Sequence, residues 1–150
     1  MRLQNLTAPG LVFAGLAGAN PAQVLEDWTN RLVVLGVLND APVLCRRLLE
    51  REALGSTGVG GGVAIPHCKV DGIEEVVVSV ATTAVPVEWG AVDGKPVQLL
   101  FLVASPATKP AAHLQTLAAI SRWLKQDRHS QRLVSAADPE AVWALLGEEA

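Results

Sequence analysis

Several things are scarce in this chain, and each scarcity removes a class of function. No apolar run approaches the ~20 residues that a membrane-spanning helix needs. The runs from Arg31 to Leu38 and from Val97 to Ala104 fall far short of that, so direct membrane insertion is not expected even though the mean hydropathy is +0.32. There is no basic stripe. Twelve Lys and Arg stand against 15 Asp and Glu, a net charge of -3, which argues against a nucleic-acid partner. Cysteine is limited to Cys45 and Cys68, with no CxxC and no HxxxH spacing, so no metal site is expected. Charged residues make up 18% and hydrophobic residues 50%, a balance that excludes disorder. Repeats, low-complexity tracts and long linkers are absent, and 150 residues suit one domain over positions 1–150. The segment from Met1 to Gln23 has a weak basic start and a short apolar part broken by Gly and Pro. It reads as mature sequence rather than a signal peptide, which places the protein in the cytoplasm with reduced thiols.

What is present reads as alternating strands and helices. Leu11 to Ala14 is a short strand. Asn20-Pro21 is an N-cap followed by a helix-opening proline, and Leu25, Trp28, Leu32 and Leu35 recur at helical spacing until Gly36. Asp40 caps a second helix that runs to about Ala53 and stops at Gly55. Five glycines within Gly55 to Gly62 exclude a regular helix there, and Val63 to Ile65 is strand-like, limited by Pro66. Val76 to Thr83, Val85 to Trp89 and Val97 to Ala104 are strands, with Asp93-Gly94 turning between the last two. A helix from about Lys109 to Lys125 sets His113, Leu117, Ile120 and Leu124 on one face. A short helix near Ser130 to Ala136 and one capped by Asp138-Pro139, ending at Gly147, complete the chain. The order predicts an α/β fold, a mixed β-sheet flanked by helices.

The glycine-rich loop fails as a P-loop, because Gly60 is followed by Gly61-Gly62-Val63 and not by Lys and Ser or Thr. It fails as a dinucleotide fingerprint, because Val63 stands where the last glycine belongs. Composition alone favours a flexible turn over an anion-binding nest. His67 follows Pro66 beside this loop. A neutral imidazole nitrogen there is a nucleophile able to take a phosphoryl group, provided an acceptor, usually a backbone carbonyl, holds the other nitrogen. His113 alone reads as a core histidine; its other reading is an imidazole donating to an anion at a helix start. His129, in the charged stretch KQDRHSQR, is expected in solvent. Arg51 ends the second helix, either complementing its dipole or offering a fork of donors to a phosphoryl oxygen, while Arg46 and Arg47 read as surface residues. Cys45 reads as core, and Cys68 as potentially exposed.

Three stretches in order carry a family resemblance. Leu48 to Val70, LLEREALGSTGVGGGVAIPHCKV, resembles the active-site segment of enzyme IIA domains of the fructose, mannitol and nitrogen type. These belong to the bacterial phosphoenolpyruvate-dependent phosphotransferase system. Pro86 to Pro106 and His113 to Leu124 resemble the family's next two segments. The likeness spans nearly the whole chain and is weakest before Asp40 and after Arg128. It implies that His67 accepts a phosphoryl group from an HPr-type phosphocarrier protein. It further implies that His113 and Arg51 stabilise the phosphohistidine, and that the loop of Ser56, Thr57 and Gly58 binds the phosphoryl group. No cofactor is implied. The resemblance displaces the readings of His113 as mere core and of the glycine loop as a mere turn. Cys68 departs from the family's common Gly, and its side chain is expected to narrow partner access or to make the site oxidisable.

Two branches of the family fit: a stand-alone nitrogen-type regulator, and a sugar-specific IIA that donates to a IIB domain. The chain carries no fused transporter or IIB segment, which favours the regulator. A non-catalytic docking module is the reading from another class. The surface around His67 is expected to be shallow and partly apolar, so that a protein partner can dock.

Overall fold

The two β-branched runs after Val76 are one strand. The computed structural model describes residues 2–126, 128–136 and 138–148, and in it β5 runs unbroken over Val77–Val87. Its register against the next strand shifts between Thr82 and Val87, where Ala84, Val85 and Pro86 are exposed. Pro86 has no N–H to give a ladder, so the pairing loosens there without ending the strand.

The remaining elements follow the expected order. They are β1 (Val12–Leu16), α1 (Pro21–Val34), α2 (Ala41–Ala53), β2 (Gly58–Gly60), β3 (Val63–Ala64), β4 (His67–Val70), β5, β6 (Val97–Pro106), α3 (Pro110–Leu124), α4 (His129–Val134) and α5 (Pro139–Leu146). Asn20, Asp40 and Asp138 each accept a backbone N–H three residues on, at 2.9, 3.3 and 2.8 Å, and a proline follows within the first turn each time.

The six strands form one mixed sheet in the order β1-β5-β6-β3-β2, with β4 also on β6. β1 is parallel to β5, and β5 is antiparallel to β6. Both β3 and β4 run parallel to β6, end to end along the same edge. The glycine-rich segment, expected as a turn, contains the antiparallel hairpin β2–β3. Gly60, Gly61 and Gly62 take φ of +95, +66 and +81°, which side chains resist, so this reversal needs glycine.

Strand β6 is the centre of the core. Leu100, Leu102 and Ala104 face the layer of α1 and α2, where they meet Leu25, Trp28, Leu32, Leu44 and Leu48. Leu99, Phe101 and Val103 face α3, α4 and α5, against Ile120, Trp123, Leu133, Val142 and Leu146. Both faces are covered, so the strand reads as a continuous apolar run. Each such side chain contributes about 1.5–3 kcal/mol on burial. Trp28 adds an anchor: its Nε1 donates to Ser79 Oγ at 2.8 Å, and that hydroxyl donates to the Leu11 carbonyl at 2.7 Å.

Two expectations fail here. His129 is buried at 1% exposure, stacked on Trp123 with ring centroids 3.8 Å apart. Lys125, Arg128 and Arg132 around it are exposed, while the helix turns this one ring inward. Cys68 is buried at 9%, because strand alternation turns it into the core beneath α1 and α2. Among the described residues, no helix is long and apolar enough to cross a membrane.

Candidate functional site

The Ile65-Pro66 step separates β3 from β4 and sets the geometry of His67. Pro66 offers only its carbonyl, which accepts from Val103 N–H at 3.0 Å and keeps the chain on β6. His67 therefore opens a strand, whereas the sequence suggested that it follows a strand's end. Its register partner is Val103. The half-buried ring has its Nδ1 2.7 Å from the Ile65 carbonyl oxygen. A carbonyl only accepts, so Nδ1 carries the proton and Nε2 carries the free lone pair. Arg51, in the last turn of α2, donates from Nε to that Nε2 at 3.2 Å and from Nη1 to the Gly55 carbonyl at 2.7 Å. Both ring nitrogens are thus held, and the guanidinium is tethered independently of the ring.

His113 arrives from the other layer. Its ring, in the first turns of α3, lies 5.4 Å from that of His67, centroid to centroid, at 54°. Nδ1 of His113 is 2.6 Å from the hydroxyl of Ser105, which is fully buried near the end of β6. Burial, and then the nearby His67 and Lys69, hold the His113 pKa below its ordinary value. A neutral imidazole keeps one N–H available without adding charge.

The loop residues behave differently from the two histidines and Arg51. Ser56 Oγ donates to the Trp89 carbonyl at 2.6 Å and accepts the Gly58 N–H at 3.0 Å. Thr57 gives its hydroxyl to the Glu52 carboxylate, and its N–H to the same group at 3.0 Å. Trp89 Nε1 also donates to Glu52, at 2.9 Å. Gly58 is required by proximity: a Cβ there would sit 2.7 Å from the Ala91 Cβ. The polar groups expected to meet a phosphoryl group are engaged in pinning the loop to Glu52 and to the 88–91 segment.

An open cavity of about 750 Å³ surrounds His67 and His113, with Arg46, Arg47, Arg51 and Lys69 on its walls. Leu54, 85% exposed, stands at its edge. Cys68 also reaches this wall, but burial pushes its thiol up to about 12, which disfavours the thiolate and argues against the expected oxidisable site. Among the described residues, no three His, Cys, Asp or Glu side chains converge as a metal-ligand set.

Residues 5–149 match the family model described as "Phosphoenolpyruvate-dependent sugar phosphotransferase system, EIIA 2". The chain belongs to that family. As an EIIA domain it is similar to a nitrogen regulatory protein of Pseudomonas aeruginosa, 34% identical over 146 residues, 97% of this chain and 95% of the relative. It is also similar to the fructose-specific EIIA component of the phosphotransferase system of Haloferax volcanii, 37% identical over 124 residues, 83% and 80% of the two chains. The crystal structure of the nitrogen regulatory protein IIA-Ntr from Neisseria meningitidis superposes with a TM-score of 0.85 at 28% identity, covering 96% of this chain and 98% of that one.

In this EIIA domain the fold brings His67, Arg51 and His113 together from a strand, a helix end and a helix start. Sequence reasoning missed Glu52 and Trp89, which anchor the loop, and Ser105, which orients His113. Glu52 stood beside Arg51 in the quoted segment. The signal was an acid in the last turn of α2, five residues before Thr57 and within reach of the loop's N–H groups.

Proposed function

We propose that this EIIA domain carries a phosphoryl group on Nε2 of His67, received from an HPr-type phosphocarrier protein in the cytoplasm. The observation that carries the reading is the held imidazole: Nδ1–H on the Ile65 carbonyl, and the Nε2 lone pair facing Arg51. The lone pair attacks phosphorus as the donor's P–N bond breaks and its electron pair returns to the donor nitrogen. The P–Nε2 bond forms, no net proton moves, and the positive charge that develops on the ring is stabilised by the Ile65 carbonyl. Arg51 exchanges its bond to Nε2 for one to a phosphoryl oxygen, a charge-assisted contact. Ser105 donates its hydroxyl to His113 Nδ1, which leaves His113 Nε2–H to donate to a second oxygen. This is positioning and electrostatic stabilisation, which is most of what phosphoryl transfer requires. The Ser56, Thr57 and Gly58 loop supports this set by fixing where α2 ends.

The nitrogen-regulatory branch is favoured, since relatives of that name match over nearly the full length of both chains. In that branch the phosphorylation state is read by a downstream regulatory target. The fructose-specific relative supports a second reading, donation to a IIB domain in sugar uptake. The test is incubation with phosphoenolpyruvate, enzyme I and phosphocarrier, followed by intact mass. A gain of one acid-labile phosphoryl group is expected for the native chain and none for His67→Ala. No gain with a proven cognate phosphocarrier would leave the docking-module reading in its place.

A further inference from the structure

A second cavity, of about 360 Å³, lies between the β2–β3 hairpin, the end of α3 and the start of α4. None of the residues assigned to the phosphoryl site lines it. Its floor is Val63, 2% exposed, and its apolar walls are Leu124 and Val59, the latter 52% exposed on the outermost strand of the sheet. Three polar side chains line the same space. Ser121 and Lys125 stand four residues apart where α3 ends, on one face of the helix, and Ser130 enters from the first turn of α4. Among the described residues, the Ser121 and Ser130 hydroxyls and the Lys125 ammonium have no hydrogen-bond or ion-pair partner. Lys109, by contrast, is paired with Glu75 at 2.8 Å. No acidic side chain among the described residues lines the cavity. Asp93, close to the lining residue Gly60, already accepts the Gly61 and Lys95 N–H groups at 3.0 and 3.1 Å.

We propose that this cavity binds a small amphiphilic monocarboxylate. Its carboxylate takes the Lys125 ammonium and the two serine hydroxyls as donors, and its apolar body covers Val63, Leu124 and Val59. A few convergent polar groups above an apolar floor are the usual make-up of a small-molecule site. The charge of the ligand follows from the donors. One cation matches one negative charge, whereas a phosphoryl dianion would leave a charge unmatched and calls for a fork of donors or a second cation. A cationic ligand meets Lys125 with no acid to offset it. A neutral alcohol keeps the apolar contact and loses the charge-assisted one. The site shares no residue with the one around His67, so the proposal does not rest on the reading of that histidine.

The probe is hexanoate, with hexanol and hexylamine as its neutral and cationic counterparts, each titrated into the full chain with backbone amide shifts read by NMR. Hexanoate is expected to bind with a dissociation constant of about 1 mM, the range open to so small a ligand. It should shift the amides of Val59, Gly60, Ser121, Lys125 and Ser130 saturably. Hexanol and hexylamine are expected to bind at least about fivefold more weakly, which is what an exposed cation contributes at most. Lys125→Gln, at an exposed position, should keep the native spectrum, weaken hexanoate by the same factor and bring it level with hexanol. The retained spectrum shows that the variant folds. The proposal is overturned by hexanoate shifts confined to the amides around His67, or by no saturable shift at all. It is equally overturned by hexanol or hexylamine binding the native chain as well as hexanoate does, or by an affinity that Lys125→Gln leaves unaltered. None of these readouts involves phosphoryl transfer, so failure of the acceptor reading at His67 would leave the outcome as it is.

Discussion

Arg51 Nε donates to Nε2 of His67, the ring nitrogen that carries no proton, across 3.2 Å. The residue that holds the nucleophile in place is therefore the residue that must yield to the incoming group. Its second anchor, Nη1 to the Gly55 carbonyl at 2.7 Å, keeps the guanidinium at the site while Nε lets go. A lysine would supply charge at this position without the fork that makes both bonds at once.

Replacing Arg51 should therefore slow phosphorylation and shorten the life of the product. A charge-assisted hydrogen bond contributes about 1.5–3 kcal/mol, so Arg51→Ala should cost about 10- to 100-fold in rate. Arg51→Lys should recover only part of it. Quenched time courses read by intact mass give the rate, and the decay of the phosphorylated form after donor removal gives the lifetime.

His113 should make the fold sensitive to acid. Its folded pKa is lowered by burial and then by His67 and Lys69, while in the unfolded chain it titrates near 6.5. Above that value both states are neutral and the residue is silent. As pH falls below about 6.5 the unfolded chain binds a proton that the folded one resists, so stability drops. The urea midpoint should decline from pH 7 to pH 5 in the native chain and decline less in His113→Gln.

Removing the Glu52 carboxylate should loosen the glycine loop. Glu52→Ala takes away the acceptor of the Thr57 N–H and the Trp89 Nε1–H, and Trp89 is buried at 5% exposure. Leaving such donors unpaired costs about 1–3 kcal/mol. The urea midpoint should fall accordingly, and the Trp89 indole proton should exchange faster with solvent. Glu52→Gln retains one acceptor oxygen and should lose less.

Cys68 should be inert in the folded protein. With its thiol pushed up to about 12 and its side chain in the core, it should resist iodoacetamide at pH 8, while Cys45, half-buried on α2, reacts first. Peptide mapping after native labelling should find the label on Cys45, and on both cysteines only after denaturation.

Much of the architecture was legible because its signals are local. Asn20-Pro21, Asp40 and Asp138-Pro139 announce helix starts through a side chain three residues from its N–H partner. The run from Val97 to Ala104 announces a strand covered on both faces. The elements that were misread have non-local causes. β5 continues past Thr83 because β6 lies beside it, and β3 and β4 are two strands because one long neighbour, β6, pairs with both. His129 is buried because Trp123, six residues back, offers a flat ring to stack on.

The same division runs through the site. The chain's order of residues determined that an imidazole would follow a proline beside a glycine-rich hairpin, with an arginine at the preceding helix end and a histidine opening a later helix. Propensity, capping and covalent restraint act over a few residues, so a linear reading reaches them. Only the tertiary structure decided that the Ile65 carbonyl would take Nδ1 and leave Nε2 to Arg51. It also decided that Ser56 and Thr57 would turn toward Trp89 and Glu52, and that Cys68 would face the core. Each of those outcomes is a choice among competing hydrogen-bond and packing partners brought close by the sheet. A short polar side chain has no preference among them until the fold sets which lie within about 3 Å.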